Sequence, residues 1–325
     1  MIEFNFFEDT KETLLEKFCE YFNLEVNEIA EYFEDNNPDD LSYTKVIKDL
    51  KIDLNNHDSS EIGIVCRHMT TTTEDGIGNF YKMGLLDLKS MLQLQTPLSE
   101  YLKKFGIEVN VDEKVITISK KKYPILSSSE ICEQCIKGEK DIVCTGYHRC
   151  ELREKLGFLA VKLYQYEATI EFFINATVEE MERYSTLSRY PEILETLAQV
   201  LSKIHERRRL CYEMCYDWNN LNKVVIIVEF TSKVSEMETF APYDYDEAYR
   251  ECGDCLENNG FSYMDYIGQK IPWKVFDNMC FVKWFLSIYF YNDEKYGSLL
   301  SGGMVLGDRI KIYKVIDGQL VMFER

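Results

Sequence analysis

The run Lys223-Val-Val-Ile-Ile-Val-Glu-Phe230 limits the fold more than any other stretch. Five β-branched residues follow one another with no polar interruption. Such side chains are stiff at χ1 and suit a pleated surface. An apolar run without alternation reads as a central strand, buried on both faces. Ile62-Gly-Ile-Val-Cys66 reads as a second compact strand, and Lys114–Lys120 alternates as a third. Residues 157–166, GFLAVKLYQY, read as another, and 281–291 fits helix or strand equally. The last strands form a hairpin, 308–316 and 319–323, turning at Asp317-Gly318. The strands do not alternate regularly with helices, which disfavours a doubly wound sheet and favours an α+β fold with a mixed, mainly antiparallel body.

Helical spacing dominates the front of the chain. Leu14, Leu15, Phe18, Tyr21 and Phe22, then Ile29, Tyr32 and Phe33, predict helix over 11–35. Pro38 and its flanking acids break it, and Ser42 is placed to cap a short helix over 43–50. A loop at 53–60 follows. The expected organisation is an acidic helical region, 1–58, and an α+β body, 59–325. Within the body, 74–83 reads as a short helix stopped at Gly84, and 87–105 as another. Residues 189–215 read as a long helix, with Pro191 in its first turn and Ile193, Leu197, Leu201, Ile204, Cys211 and Cys215 on one stripe.

Charge excludes some partners. The chain carries a net charge of −19 over 325 residues, and residues 1–60 hold 16 acidic against 5 basic residues. Such a surface repels nucleic-acid backbone. It suits solubility, or else a basic partner or mimicry of a nucleic acid. The triplets Lys120–Lys122 and Arg207–Arg209 read as solvated faces. No apolar run reaches the roughly 18 residues a membrane span needs, and the N-terminus lacks a signal-peptide pattern. A cytoplasmic protein without a membrane partner is expected.

Eleven cysteines in a chain of that kind argue against a disulfide framework. Four fall within residues 127–151: Cys132-x2-Cys135-x8-Cys144-x5-Cys150, with His148 just before the last. Paired thiolates at this spacing can complete a tetrahedron around zinc, at about 2.3 Å. A structural zinc ion would fix a polar loop that has few apolar anchors. Ordinary buried thiols, an iron–sulfur cluster and a redox switch are the alternatives. Cys252-x2-Cys255 has no partner pair nearby in sequence and reads as fortuitous, while Cys211 and Cys215 read as core.

Arg67-His68 closes the strand at 62–66, and Thr70–Thr73 follow. No GxGxxG, GxxxxGKS or GxSxG motif is present, which disfavours ordinary dinucleotide, P-loop and hydrolase sites. A strand ending in His68-x-Thr70, then a short helix closing with Gly84-Leu85, resembles the opening of the ADP-ribosyltransferase superfamily. The resemblance covers about 25 residues well and extends more loosely to the later strands. It implies a split antiparallel α+β body. It also implies that His68 and Thr70 hold NAD and that a tyrosine, Tyr164 or Tyr166, stacks on nicotinamide. Arg67 would meet phosphate, since a guanidinium is a bidentate phosphate donor. The family's catalytic glutamate on a late strand has no counterpart between Tyr296 and Val315, and Glu294 is the nearest candidate, Glu229 lying on another strand.

Two functions follow as expectations. One is an ADP-ribosyltransferase-like protein that binds NAD and transfers ADP-ribose to a protein or nucleic-acid acceptor, in a toxin, defence or modification role. The other is a non-enzymatic, zinc-stapled interaction protein whose acidic surface docks on a basic partner.

Overall fold

The computed structural model describes residues 1–125, 151–164, 169–184, 188–204, 209–221, 223–238, 253, 256–262, 265, 270–293, 295–300 and 303–324. These form an α+β protein. The chain divides into two compact units: Met1–Arg67 with Glu171–Thr177 and Glu229–Leu300, and His68–Ile170 with Val178–Val228 and Ser301–Arg325. Parallel pairing of β1 (Ile2–Phe4) with β2 (Ile62–Thr73), Phe4 opposite Ile64, ties the N-terminal segment to the strand that follows its helices.

In the first unit, α1 (Lys11–Phe22) starts where the Thr10 hydroxyl accepts from the Thr13 N–H at 3.3 Å. One helix over 11–35 is expected, but two form. Asn23 turns left-handed, at φ 54°, and the Leu24 N–H closes on the Cys19 carbonyl at 2.8 Å. This cap ends α1 before α2 (Val26–Asp35) begins. Ser42 caps α3 (Tyr43–Asp49) as its position suggests. The strands lie in the order β7 (Lys223–Lys233), β2, β6 (Glu171–Asn175), β8 (Lys295–Ser298). Pairing is antiparallel between β2 and β6 and between β6 and β8.

The ambiguous segment 281–291 is helical, the end of a helix at Trp273–Tyr291. It is apolar nearly all round because it is buried nearly all round. Phe281 and Phe285 are fully buried against Phe18 of α1, with the Phe18 and Phe285 rings stacked at 4.2 Å. Its two buried polar residues are satisfied. Asp277 accepts from the Ser59 hydroxyl at 2.8 Å. Asn278 accepts from the Tyr21 hydroxyl and donates to the Leu54 and His57 carbonyls, so the 53–60 loop is pinned.

In the second unit, β2 and β7 continue and are followed in order by β9 (Ile310–Ile316) and β10 (Gln319–Met322). Asp317 and Gly318, both at positive φ, make the expected hairpin turn. A three-stranded sheet, β3 (Ile107–Asn110), β4 (Val115–Ile118) and β5 (Lys121–Pro124), packs with helices around a core that includes Leu102, Ile116, Leu159, Leu197 and Trp218.

Here the sequence reading needs three corrections. Of the strand expected over 157–166, the described part is helical: α7 (Glu151–Tyr164) runs through 157–164, and Leu156, Leu159, Ala160 and Leu163 share its buried face, while 165–166 lie outside the described residues. The helix at 87–105 is two, α5 (Leu88–Gln93) and α6 (Pro97–Lys104). Pro97 disfavours helical backbone at Thr96, which caps α6 instead. The long helix at 189–215 is also two, at Glu192–Ile204 and Arg209–Asn220. We number these α9 and α10, after α4 (Ile77–Met83) and α8 (Val178–Arg183), so the helix at Trp273–Tyr291 is α11. Among the described residues no helix is long and apolar enough to cross a membrane.

Candidate functional site

The strand that carries His68 is longer than its apolar run. The four threonines prolong β2 to residue 73, because Thr is β-branched and fits a pleated strand. Successive strand side chains point to opposite faces. His68 and Thr70 therefore share a face, and both are half-buried. Met69 and Thr71 share the other face and are buried, at 0% and 4% exposure. The pairing of imidazole and hydroxyl on one partly open face is thus a product of strand geometry.

The next residues fix where that strand ends. Thr73 caps a 3-10 turn, Glu74–Gly76, by accepting from the Gly76 N–H at 3.2 Å. Helix α4 follows and stops at Gly84, as expected. Gly84 has φ +83°, and a Cβ there would lie 2.2 Å from the Val305 carbonyl oxygen. Leu85 and Val305 then exchange two backbone hydrogen bonds, at 2.8 and 3.1 Å. Gly84 is required both for its conformation and for this close approach.

Arg67 stands on the opposite face from His68 and Thr70. Its Nε and Nη2 both donate to Glu229 Oε2, at 3.0 and 2.9 Å. The Phe7 ring lies under the guanidinium, 4.1 Å from centroid to Cζ, and the exposed Glu8 carboxylate is 3.6 Å away. The Glu229 side chain is 5% exposed and that of Arg67 11%. A charge at that depth needs a partner. Arg67 is therefore paired with a carboxylate of this chain. Sequence reasoning set Glu229 aside because it lies on another strand, and that strand neighbours β2.

Thr71 has a partner that sequence reasoning missed. Its hydroxyl accepts from Trp218 Nε1 at 3.1 Å. Trp218, on α10, is 1% exposed and meets the Tyr101 ring edge-on at 5.0 Å. The two residues are 147 positions apart, beyond any local pattern.

Tyr164 lies at the end of α7. Its hydroxyl donates to the Val111 carbonyl at 2.8 Å, and the Lys89 and Lys114 ammonium groups approach its ring to 5.5 and 5.2 Å. Burial, helped by Asp112, raises its pKa. These contacts place Tyr164 against the β3–β4 hairpin; none of them involves His68 or Thr70. A separate hollow of about 510 Å³ opens beside that hairpin, floored by Leu92, Ile107 and Val115 and rimmed by Lys103, Glu108 and Lys122.

Tyr166, Glu294, the cluster Cys132, Cys135, Cys144, His148 and Cys150, and the pair Cys252 and Cys255 lie outside the described residues. Among the described residues no group of three or more His, Cys, Asp or Glu is placed to hold a metal ion. Cys215 is buried, as its place on an apolar stripe suggests.

No family model, no curated protein and no solved structure matches this chain.

Proposed function

We propose that the protein is ADP-ribosyltransferase-like and binds NAD on the face of β2 that carries His68 and Thr70. The observation that carries this reading is the shared, half-buried placement of those two side chains on one strand face. The turn and the helix that follow add support, because Gly84-Leu85 ends α4 in a conformation only glycine tolerates. Neutral imidazole offers one donor and one acceptor, and a hydroxyl offers both. Together they suit ribose hydroxyls and a carboxamide. Arg67 is assigned to the framework, because Glu229 already holds it. Transfer would break the bond between nicotinamide and ribose, with nicotinamide leaving and an acceptor nucleophile taking the ribose carbon. Glu294 is assigned the carboxylate that steadies positive charge there. We assign a structural zinc ion to Cys132, Cys135, Cys144 and Cys150, with His148 as the alternative fourth ligand. The test is calorimetric titration of NAD into the wild type and His68→Ala. Binding lost or strongly weakened in the variant supports the reading, and no binding by the wild type ends it.

A second reading is favoured by a different observation. Of the 16 acidic residues in 1–60, all but Asp9 are exposed. Glu12, Glu16 and Glu20 stand at successive i,i+4 positions on α1. Like charges at that spacing cost a helix about 0.2–0.5 kcal/mol per pair. Of the nearby cations, Lys17 pairs with Asp9, and Lys11 lies over Tyr289 and also faces Glu12. A surface kept so acidic suits a basic protein partner. Salt-dependent binding of a lysine-rich polypeptide, lost on Glu12→Lys/Glu16→Lys, supports that docking; undiminished binding by the variant removes it.

A further inference from the structure

The face of β2 opposite His68 and Thr70 carries, besides the Arg67–Glu229 pair, a buried side-chain hydrogen bond from Trp218 Nε1 to Thr71 Oγ1. Indole N–H is a donor only, so burying it demands an acceptor. Thr71 supplies one from the residue next to Thr70. The indole itself cannot shift easily. It is 1% exposed in the helical core, and Tyr101 packs edge-on against it. Tyr101 is in turn tied by its hydroxyl to the Met214 carbonyl at 2.6 Å, one turn before Trp218 on α10. A rigid helix thus holds a strand residue by its hydroxyl. Because strand side chains alternate, fixing Thr71 inward fixes the outward direction of its neighbours.

We propose that Trp218 is a positioning residue for the His68–Thr70 face, acting through Thr71. This rests on the reading of that face as the NAD site. A hydroxyl and an imidazole recognise a ligand only if their angles are set before it arrives, so the anchor lowers the ordering cost of binding. Thr71→Val removes the acceptor and keeps the shape. Trp218→Phe removes the donor and keeps most of the ring. Thr71→Ser keeps the acceptor.

Hydrogen–deuterium exchange of the ligand-free protein tests the anchor without NAD. Trp218→Phe and Thr71→Val should both speed exchange in the peptide spanning residues 66–73, and Thr71→Ser should restore it. Unchanged exchange in both variants overturns the proposal, whatever NAD does. In the same proteins the NAD dissociation constant should rise roughly five- to tenfold on loss of this one bond. The double variant should bind no worse than either single, because both remove the same bond. Equal NAD affinity in wild type and both variants, with lowered thermal stability, would make the bond merely structural and overturn the proposal. A wild type that binds no NAD, with exchange responding as stated, would sink the NAD reading and leave Trp218 as the anchor of this strand.

Discussion

Replacing Arg67 with Met should destabilise the first unit severely. The substitution keeps the length of the side chain but takes two N–H donors from Glu229 Oε2. Glu229 is 4% exposed, so water cannot replace them. Breaking a buried ion pair by removing one partner costs about 3–5 kcal/mol. Loss of the cation over the Phe7 ring adds about 0.5–2 kcal/mol. Glu8 contributes little, because its side chain is 67% exposed and exposed pairs are worth under about 1 kcal/mol. The double variant Arg67→Met/Glu229→Leu removes both charges and should regain most of the loss, since apolar replacements of buried pairs are often neutral. Urea unfolding, followed by deuterium exchange in peptides from 1–67 and 229–238, measures each step. A loss under about 1 kcal/mol for Arg67→Met would refute the reasoning. So would weakened NAD binding at full stability, which would make Arg67 a ligand group after all.

Three further outcomes are expected. Gly84→Ala should cost about 2–5 kcal/mol, from backbone strain and the Leu85–Val305 hydrogen bonds together; an unchanged urea midpoint would contradict the close approach at Val305. His57 packs 5.2 Å from both the Tyr21 and Phe22 rings, and burial lowers its pKa. The folded state therefore disfavours its protonation, so stability is full above the unfolded value of about 6.5 and falls as pH drops below it. His57→Gln should flatten that acid limb of a pH–stability profile. Protein purified without chelator should carry about one zinc per chain on the tetrahedral cysteine reading, and less than about half an equivalent would remove the zinc assignment.

Local chemistry was readable where one residue type is nearly obligatory. Gly84 marks the end of α4 because little else tolerates its φ, and Asp317-Gly318 marks the last hairpin for the same reason. Ser42 marks a helix start because its hydroxyl accepts from Lys45. The reading of 157–164 as strand had a physical source. The stretch Phe158–Val161 is continuously apolar, but only Leu159 and Ala160 of it are buried, with Phe158 48% exposed. Continuous apolarity suits a buried strand and a helix face alike. The short strands β1, β6 and β8 escaped because three to five residues give no period to count. The candidate site rests on a motif, His68-x-Thr70 to Gly84-Leu85, whose structural surroundings left no mark in the sequence. Glu229 lies 162 positions from Arg67, and Trp218 lies 147 from Thr71. Such pairs are set by strand neighbours and helix packing, which no window of sequence contains.

The ligand-holding role proposed for His68 is tested most directly by calorimetric titration of NAD into matched wild-type and His68→Ala proteins of equal thermal stability. Saturable one-to-one heat in the wild type, lost or weakened at least about tenfold in the variant, is the predicted result, a tenfold loss being about 1.4 kcal/mol. Equal affinity in both proteins, or no heat in either, would contradict it.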